Sequence, residues 1–472
     1  MLLARESELK QLQDLWSKNT ASLVALTGRR RIGKSTLVEN FGKSAAKFIR
    51  FQGLAPGKKI TEKVQLENFA EELQISCGGP LLNLRNWNEA FMALDKVLTE
   101  KKTVLLLDEI SWLAKDSPAF VGKLKNAWDG YFKKHDKLIV ILCGSVSSWI
   151  EENILQKTDF VGRISLHMHI KEIPLNQVSP FWKKHEVSSF EKLKFLVISG
   201  GVPRYLEELV PRQSSESNLQ RLAFTAGGFF VDEFEKIFND TFEKRAPIYK
   251  KILRKLILRP LSFVEICKAL KVDKNGAISK YIEDLVLSDF LSRDYVYTPD
   301  GKKTKFSRFR ISDNYIRFYL KYLEPNLEKI NSGLMQNISI ESLPQWNQIC
   351  GFQFETLILK NKATLIKILN VPEQEITSFS PYFQKRTSRI SEACQIDLLM
   401  TTRFGNLYVC EIKMKKQIGV EVIEEVQTKI KALVRPSHTS IRPVLIYAGE
   451  LSDEVLQADY FAHIINVNEW LK

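Results

Sequence analysis

The sequence predicts an α/β chain: a parallel sheet in the first third, a helix-rich middle, and a separate α/β unit towards the C-terminal end. Three observations carry this prediction. Residues 1 to about 150 alternate helical patterns with the short apolar runs SLVALTG (22–28), TVLLLDE (103–109) and KLIVILCGS (137–145), and strands covered on both faces need no polar alternation. From about 165 to 330 amphipathic helices dominate until the basic, strand-like stretch YVYTPDGKKTKFSRFRIS. The last ~140 residues hold the strand candidates CQIDLLMTT and NLYVCEIKM with helices on either side, as a domain of ordinary size would.

At 472 residues the chain exceeds one compact core, and domain sizes suggest roughly three or four units. Its 44% hydrophobic and 26% charged residues are those of a globular protein and exclude long disorder. The net charge of +14 attracts polyanions, nucleic acid first, although a solvated basic surface gives the same total. Six scattered cysteines, Cys77, Cys143, Cys267, Cys350, Cys394 and Cys410, argue against a disulfide framework and a zinc ribbon. The opening MLLARESELKQL turns charged at once, and no apolar run approaches the ~20 residues of a membrane span. The expectation is a cytoplasmic protein, neither exported nor membrane-spanning.

Gly28-Arg29-Arg30-Arg31-Ile32-Gly33-Lys34-Ser35 fits the Walker A pattern between a strand and a helix, so Gly28 to Thr36 is expected to frame a nucleotide. Glycines let the backbone wrap phosphates, and the loop N–H groups and helix N-terminus supply positive potential. Lys34 reaches the outer phosphates of ATP, and Ser35 ligates Mg²⁺. Asp108 and Glu109 close an apolar strand, where the first carboxylate holds the magnesium shell and the second polarises an attacking water. The plain alternatives, a surface loop and a helix N-cap, do not account for both motifs in matching strand contexts.

Ser145 ends the strand LIVIL, where a polar side chain senses a γ-phosphate; a simple turn serine is the alternative. Arg163, after Gly162, is a candidate for stabilising transition-state charge in cis or from a neighbouring subunit of a homo-oligomer, or else a surface charge. The break Gly200-Gly201-Val202-Pro203-Arg204 reads by itself as a helix-terminating turn.

Taken in order, Arg5-Glu6-x-Glu8-Leu9, GRRRIGKS, LLLDE, CGS, Gly162-Arg163 and GGVPRY resemble the archaeal-type ATPases of the STAND branch of AAA+ proteins. The chain beyond GGVPRY resembles the winged-helix and C-terminal nuclease-like region of many members. The resemblance covers nearly the whole chain. It implies that Arg5 and Glu6 frame the adenine pocket, that Ser145 is the sensor 1 residue, that Arg163 is an arginine-finger candidate, and that Gly201-Val202-Pro203 closes a helical lid near the nucleotide. One departure is Ala4, where the family more often has Gly, Asp or Asn.

Ser262 and Glu265 form a capping-box signature before FVEICKAL, and a Gly-containing turn leads into AISKYIEDLVLSDFL, which is helix-turn-helix spacing. Tyr295 to Ile311 then suits a two-stranded wing turning at Pro299-Asp300-Gly301, with Lys302, Lys303, Lys305, Arg308 and Arg310 on or beside it. Such a wing meets DNA phosphates without reading sequence. A winged helix used only for packing or protein contact is the alternative.

Asp397 and Glu411 are symmetric about Phe404, so a hairpin through Arg403-Phe404-Gly405-Asn406 sets them opposite each other on one face, with Lys413 beside them. Facing carboxylates repel unless a cation lies between them. Mg²⁺ held there would take a scissile phosphate, with Lys413 orienting the water. Asp followed by Glu-x-Lys resembles the motif of restriction-endonuclease-like nucleases, which implies Glu355 as an extra metal-shell acid and Gln427 as a motif-extending residue. An exposed hairpin with ordinary Glu and Lys is the alternative. His167 and His169 have no third ligand in view and receive no chemistry.

The expected architecture is a P-loop ATPase core over 1–160, a helical lid over 161–245, a winged helix over 246–325 and a restriction-endonuclease-like domain over 326–472. The expected function is ATP hydrolysis coupled to DNA binding and Mg²⁺-dependent cleavage. Its rival is an ATP-switched regulatory protein with an inactive C-terminal domain.

Overall fold

The computed structural model describes residues 4–472 apart from 58, 100, 146, 184, 243–244 and 387–391. The chain divides into two compact units. The first holds Met1–Ile173, Lys236–Ala246 and Leu287–Asp289; the second holds Pro174–Glu235, Pro247–Val286 and Phe290–Lys472. Among the described residues no helix is long and apolar enough to cross a membrane.

The first unit is built on five parallel strands: β1 (Ser22–Thr27), β2 (Lys47–Gln52), β3 (Thr103–Asp108), β4 (Leu138–Cys143) and β5 (Ile164–His169). Their order across the sheet is β2-β3-β4-β1-β5. The unbroken apolar runs have a simple cause. Leu23, Ala25, Leu105, Leu107, Val140 and Leu142 face one layer, which includes Phe69, Trp87 and Phe91. Val24, Leu26, Val104, Leu106, Ile139 and Ile141 face the other, which includes Leu12, Leu37 and Phe41. With successive side chains on opposite faces and both faces covered, the residues inside these strands are apolar, and polar ones (Ser22, Thr27, Thr103, Asp108) stand only at their ends. The edge strands β2 (KFIRFQ) and β5 (ISLHMH) are more polar because their burial is partial. Since β4 lies between β1 and β3, the segments leaving the carboxyl ends of all three emerge side by side, which is where open α/β sheets bind ligands.

In the second unit, Ser262 caps helix Phe263–Leu270, and Glu265 returns the bond to the Ser262 amide at 2.8 Å, completing the capping box. Lys271 at φ +56° ends that helix, and helix Gly276–Leu287 follows. Strands β6 (Leu261–Ser262), β7 (Leu291–Tyr297) and β8 (Lys303–Ile311) form an antiparallel sheet in the order β6-β8-β7, and Gly301, at φ +83°, turns β7 into β8. Lys302, Lys303 and Lys305 on this hairpin are exposed. Arg308 instead donates to the Pro260 carbonyl and lies over the Phe383 ring, while Arg310 pairs with Asp294 at 2.8 Å.

The rest of the second unit centres on a mixed sheet of β9 (Ile376–Gln384), β10 (Cys394–Thr402), β11 (Asn406–Ile418), β12 (Ser440–Leu451) and β13 (His463–Asn466), in the order β13-β12-β11-β10-β9. Helices Trp346–Lys360 and Glu421–Ala432 pack against β11, the latter through Val422 and Val426.

Candidate functional site

Gly28 leaves β1 at φ +135°, and a β-carbon there would lie 2.5 Å from the Ile170 carbonyl oxygen. No side chain fits, so only glycine permits this close backbone approach. Arg31 and Gly33 also take positive φ, +73° and +87°, curling the loop onto helix Lys34–Gly42, whose first turn has no capping side chain. Its leading N–H groups therefore stay available to an anion. The Lys34 side chain is buried inside the curl and donates to the carbonyls of Gly28 at 2.7 Å and Arg29 at 3.0 Å. The arginines diverge: Arg29 is buried 3.6 Å from Glu172, and Arg30 pairs with Asp240 and lies over Trp112. Ile32 joins the core and Thr36 is exposed on the helix.

Asp108 ends β3 almost fully buried, and its Oδ2 accepts from the Ser35 hydroxyl at 2.9 Å. Its Oδ1 accepts from the Glu109 amide at 3.1 Å. Glu109 sits at φ +49°, and its Oε2 accepts from both the amide (3.0 Å) and the hydroxyl (2.9 Å) of Ser145. Residues far apart in sequence thus meet beyond the carboxyl ends of β1, β3 and β4. The hydroxyl and carboxylate oxygens of Ser35 and Asp108 are hard donors that suit Mg²⁺.

In the second unit the antiparallel register pairs Leu398 with Cys410 and Thr401 with Leu407; one step further along, Asp397 faces Glu411. Gly405 at φ +76° makes the turn. Glu411 is 1% exposed, and Oδ2 of Asp397 accepts from the Ile412 amide at 2.9 Å. Lys413 lies 2.8 Å from Oε1 of Glu411 and is also held by Glu425. The cation between the two acids belongs to the chain itself: Lys429 pairs with Oε2 of Glu411 and lies 3.7 Å from Oδ1 of Asp397.

Burial, reinforced by Glu411, pushes the Asp397 carboxyl up to about 6. Glu355 is pushed up to about 8, first by burial and then by Asp397, against the opposing pull of Arg317 and Arg310. It lines a cavity of about 30 Å³ with Asp397, Arg310 and Arg317. The expected three-acid metal set is not assembled: among the described residues no group of three or more His, Cys, Asp or Glu is gathered to hold a metal. Glu355 turns to that cavity and its arginines. Gln427 is exposed, and Lys429, two residues on, is what reaches the acids. The carboxylate oxygens of Asp397 and Glu411 have the right chemistry for a hard divalent cation, but Lys429 contends for the same charge.

Residues 2–209 match the profile of an ATPase domain predominantly from Archaea. This part of the chain has the fold of a P-loop ATPase. Over 378 residues the chain is 26% identical to the uncharacterized protein MJECL04 of Methanocaldococcus jannaschii, spanning 79% of this chain and 80% of that one. A 41-residue stretch is 44% identical to the uncharacterized ATP-binding protein MJ0423 of the same organism, 9% of this chain and 70% of that one. Among solved structures, the Walker-type ATPase PABY2304 of Pyrococcus abyssi is similar with a TM-score of 0.50 at 18% identity, over 68% of this chain and 96% of that chain.

Other residues of the ATPase domain take less expected places. Arg5 is buried and donates to the carbonyls of Ile32 (3.1 Å) and Lys171 (2.6 Å), tying the first helix, Glu6–Asp14, to the phosphate loop. Glu6 opens that helix exposed. Arg163 grips Asp129 with two bonds of 2.9 Å, which hold the Asp129 carboxyl down to about 2. It precedes Ile164, which pairs with Leu23, whereas the phosphate loop leaves β1 beyond Thr27, which pairs with His169. Arg163 is therefore at the end of its own sheet opposite to the loop. Pro203 begins helix Pro203–Glu207 in the second unit. Thr27 bonds both His167 and His169, and His169 meets Asp289 at 2.7 Å: structural partners account for both histidines.

Sequence reasoning missed Arg50. From β2 it donates to Oδ2 of Asp108 at 2.8 Å and pairs with Glu39. The signal was an arginine flanked by Ile49 and Phe51 in the short segment KFIRFQ.

Proposed function

We propose that the ATPase drives a DNA-processing protein whose C-terminal sheet carries a divalent-metal nuclease site. In the ATPase domain, Lys34 and the N–H groups of Gly28 to Thr36 hold the ATP phosphates, and Ser35 and Asp108 hold the Mg²⁺ that neutralises phosphate charge. Glu109 accepts the proton of the attacking water while Ser145 fixes its orientation. Arg5, with Glu6, seats the first helix against the loop near the adenine, and Gly201 to Pro203 closes the lid. Arg163 stabilises transition-state charge in cis or in a neighbouring copy of a homo-oligomer; its place at the end of β5 away from its own loop favours the neighbouring copy.

Helices Phe263–Leu270 and Gly276–Leu287 with the β7–β8 hairpin are read as a winged helix, within a middle domain of about 246–325. The exposed Lys302, Lys303 and Lys305, with Lys271, Lys274 and Lys280, supply its phosphate contacts. The domain over 326–472 is read as restriction-endonuclease-like, the lid as 161–245, and the compartment as cytoplasm. Asp397 and Glu411 would hold a divalent cation, which when bound supplies Lewis-acid charge to a scissile phosphate. Lys413 then orients the water. The observation that carries the nuclease reading is the facing of Asp397 and Glu411 across β10 and β11.

The test is nicking of supercoiled DNA by the purified chain in Mg²⁺ or Mn²⁺. Cleavage lost in Asp397→Asn while ATP turnover persists supports the reading, and cleavage unaltered in that variant refutes it. One observation favours a second reading, an ATP-switched regulatory protein with an inactive C-terminal domain: the Lys429 ammonium already sits against the acid pair. Under that reading no metal or nucleotide elicits cleavage.

A further inference from the structure

Helix Glu421–Ala432 buries Val422 and Val426, and Leu433 beyond it. At intervals of four, three and four, positions 422, 426, 429 and 433 make one stripe of a helix. Lys429 is the third member, so an ammonium occupies a place where apolar residues are the rule. Its side chain is 25% exposed, and sheltering the rest from water costs free energy unless a partner neutralises it; the partners are the two acids, Glu411 directly and Asp397 at 3.7 Å. One turn earlier on the same helix, Glu425 takes Lys413. The helix thus hands the strand pair a cation for its acids and an acid for its lysine. Each oxygen of the buried Glu411 thus meets an ammonium, Oε1 that of Lys413 at 2.8 Å and Oε2 that of Lys429, whereas Asp397 has Lys429 only at 3.7 Å.

We propose that Lys429 is a resident counter-cation that competes with a divalent metal for Asp397 and Glu411, so that metal enters only as the Lys429 ammonium withdraws. This rests on reading the pair as a metal site. Two like charges buried face to face need compensation. The ammonium provides one positive charge without holding the oxygens in a coordination shell; a divalent ion provides two and does. Removing Lys429 leaves Lys413 on Glu411 as the remaining ammonium at the pair and raises the demand of the pair for metal. The second unit thereby stays compact in low metal, and the response to metal is set by a side chain of the helix rather than by the acids alone.

The experiment titrates Mn²⁺ alone, without nucleotide, into the full chain and counts free Mn²⁺ by electron paramagnetic resonance. Wild type, Lys429→Met, Lys429→Arg, Asp397→Asn and the double variant Asp397→Asn/Lys429→Met are compared, and binding that survives Asp397→Asn is assigned to the ATPase domain and subtracted. Lys429→Met is expected to bind Mn²⁺ at the Asp397-dependent site on the order of tenfold more tightly than wild type, and Lys429→Arg to stay near wild type. Asp397-dependent binding equally tight in wild type and Lys429→Met would overturn the competition while leaving the metal site in place. If no variant binds Mn²⁺ through Asp397, the metal reading itself fails and the inference with it. Thermal melting guards against a folding defect: Mn²⁺ should raise the midpoint of Lys429→Met and not that of the double variant, and equal midpoints with and without Mn²⁺ in Lys429→Met would likewise overturn the proposal.

Discussion

Ala4 holds φ +59°, a region in which a β-carbon meets its own backbone at a cost of about 1 kcal/mol. This gives the departure noted at that position a physical meaning, because Gly, Asp and Asn tolerate the conformation better. Ala4→Gly is expected to stabilise the chain by about 0.5–1 kcal/mol in denaturant melts. Glu109 supports a second expectation: Glu109→Gln keeps the shape of the site but removes its base, so turnover should fall about 10²–10⁴-fold while ATP binding, followed by a fluorescent analogue, persists. Glu355 yields a third. Its folded carboxyl titrates near 8 rather than at the usual 4.5, so between those values the folded chain retains a proton that the unfolded chain releases. Stability from this group is present below the ordinary value and is lost as pH rises towards 8. Glu355→Gln should flatten that decline and raise stability at pH 8 by about 1–3 kcal/mol, and a pH series of urea melts reads both effects.

At the scale of elements, β1, β3 and β4 were legible because burial on both faces leaves only apolar residues, and β10 and β11 because the Gly405 turn fixes their symmetry. β2 was not legible: KFIRFQ is a half-exposed edge segment whose polar residues break any continuous run. Arg50 was hidden for the same reason, and Lys429 because a motif search follows Glu-x-Lys along the strand and ignores the stripe of the next helix. The five basic residues of the β7–β8 region look alike in sequence, yet contacts separate them. Replacing exposed Lys302, Lys303 and Lys305 by alanine should lower the dependence of DNA affinity on salt by roughly 0.9 per lost phosphate contact. Replacing Arg310, bound to Asp294, should mainly lower the melting temperature. Binding measured across a salt series, with thermal melts beside it, separates the two.

For the whole molecule, the position of Arg163 at the end of β5 away from its own phosphate loop would, under the function proposed above, make hydrolysis a matter of assembly. Arg163→Ala and Lys34→Ala are each expected to be slow alone, and mixing them should restore turnover above the sum of the two, since one copy keeps an intact loop and the other an intact arginine. No recovery in mixtures that co-elute as oligomers would exclude action between copies. The pairing of Glu109 with Ser145 bears on how such a machine spends its time. The amide and hydroxyl of Ser145 both donate to a single oxygen of Glu109, the proposed general base, leaving that oxygen less able to draw a proton from solvent. Under the proposed function a solitary copy should hold its nucleotide and turn it over slowly, and a shift of Ser145 at the end of β4 would free the carboxylate.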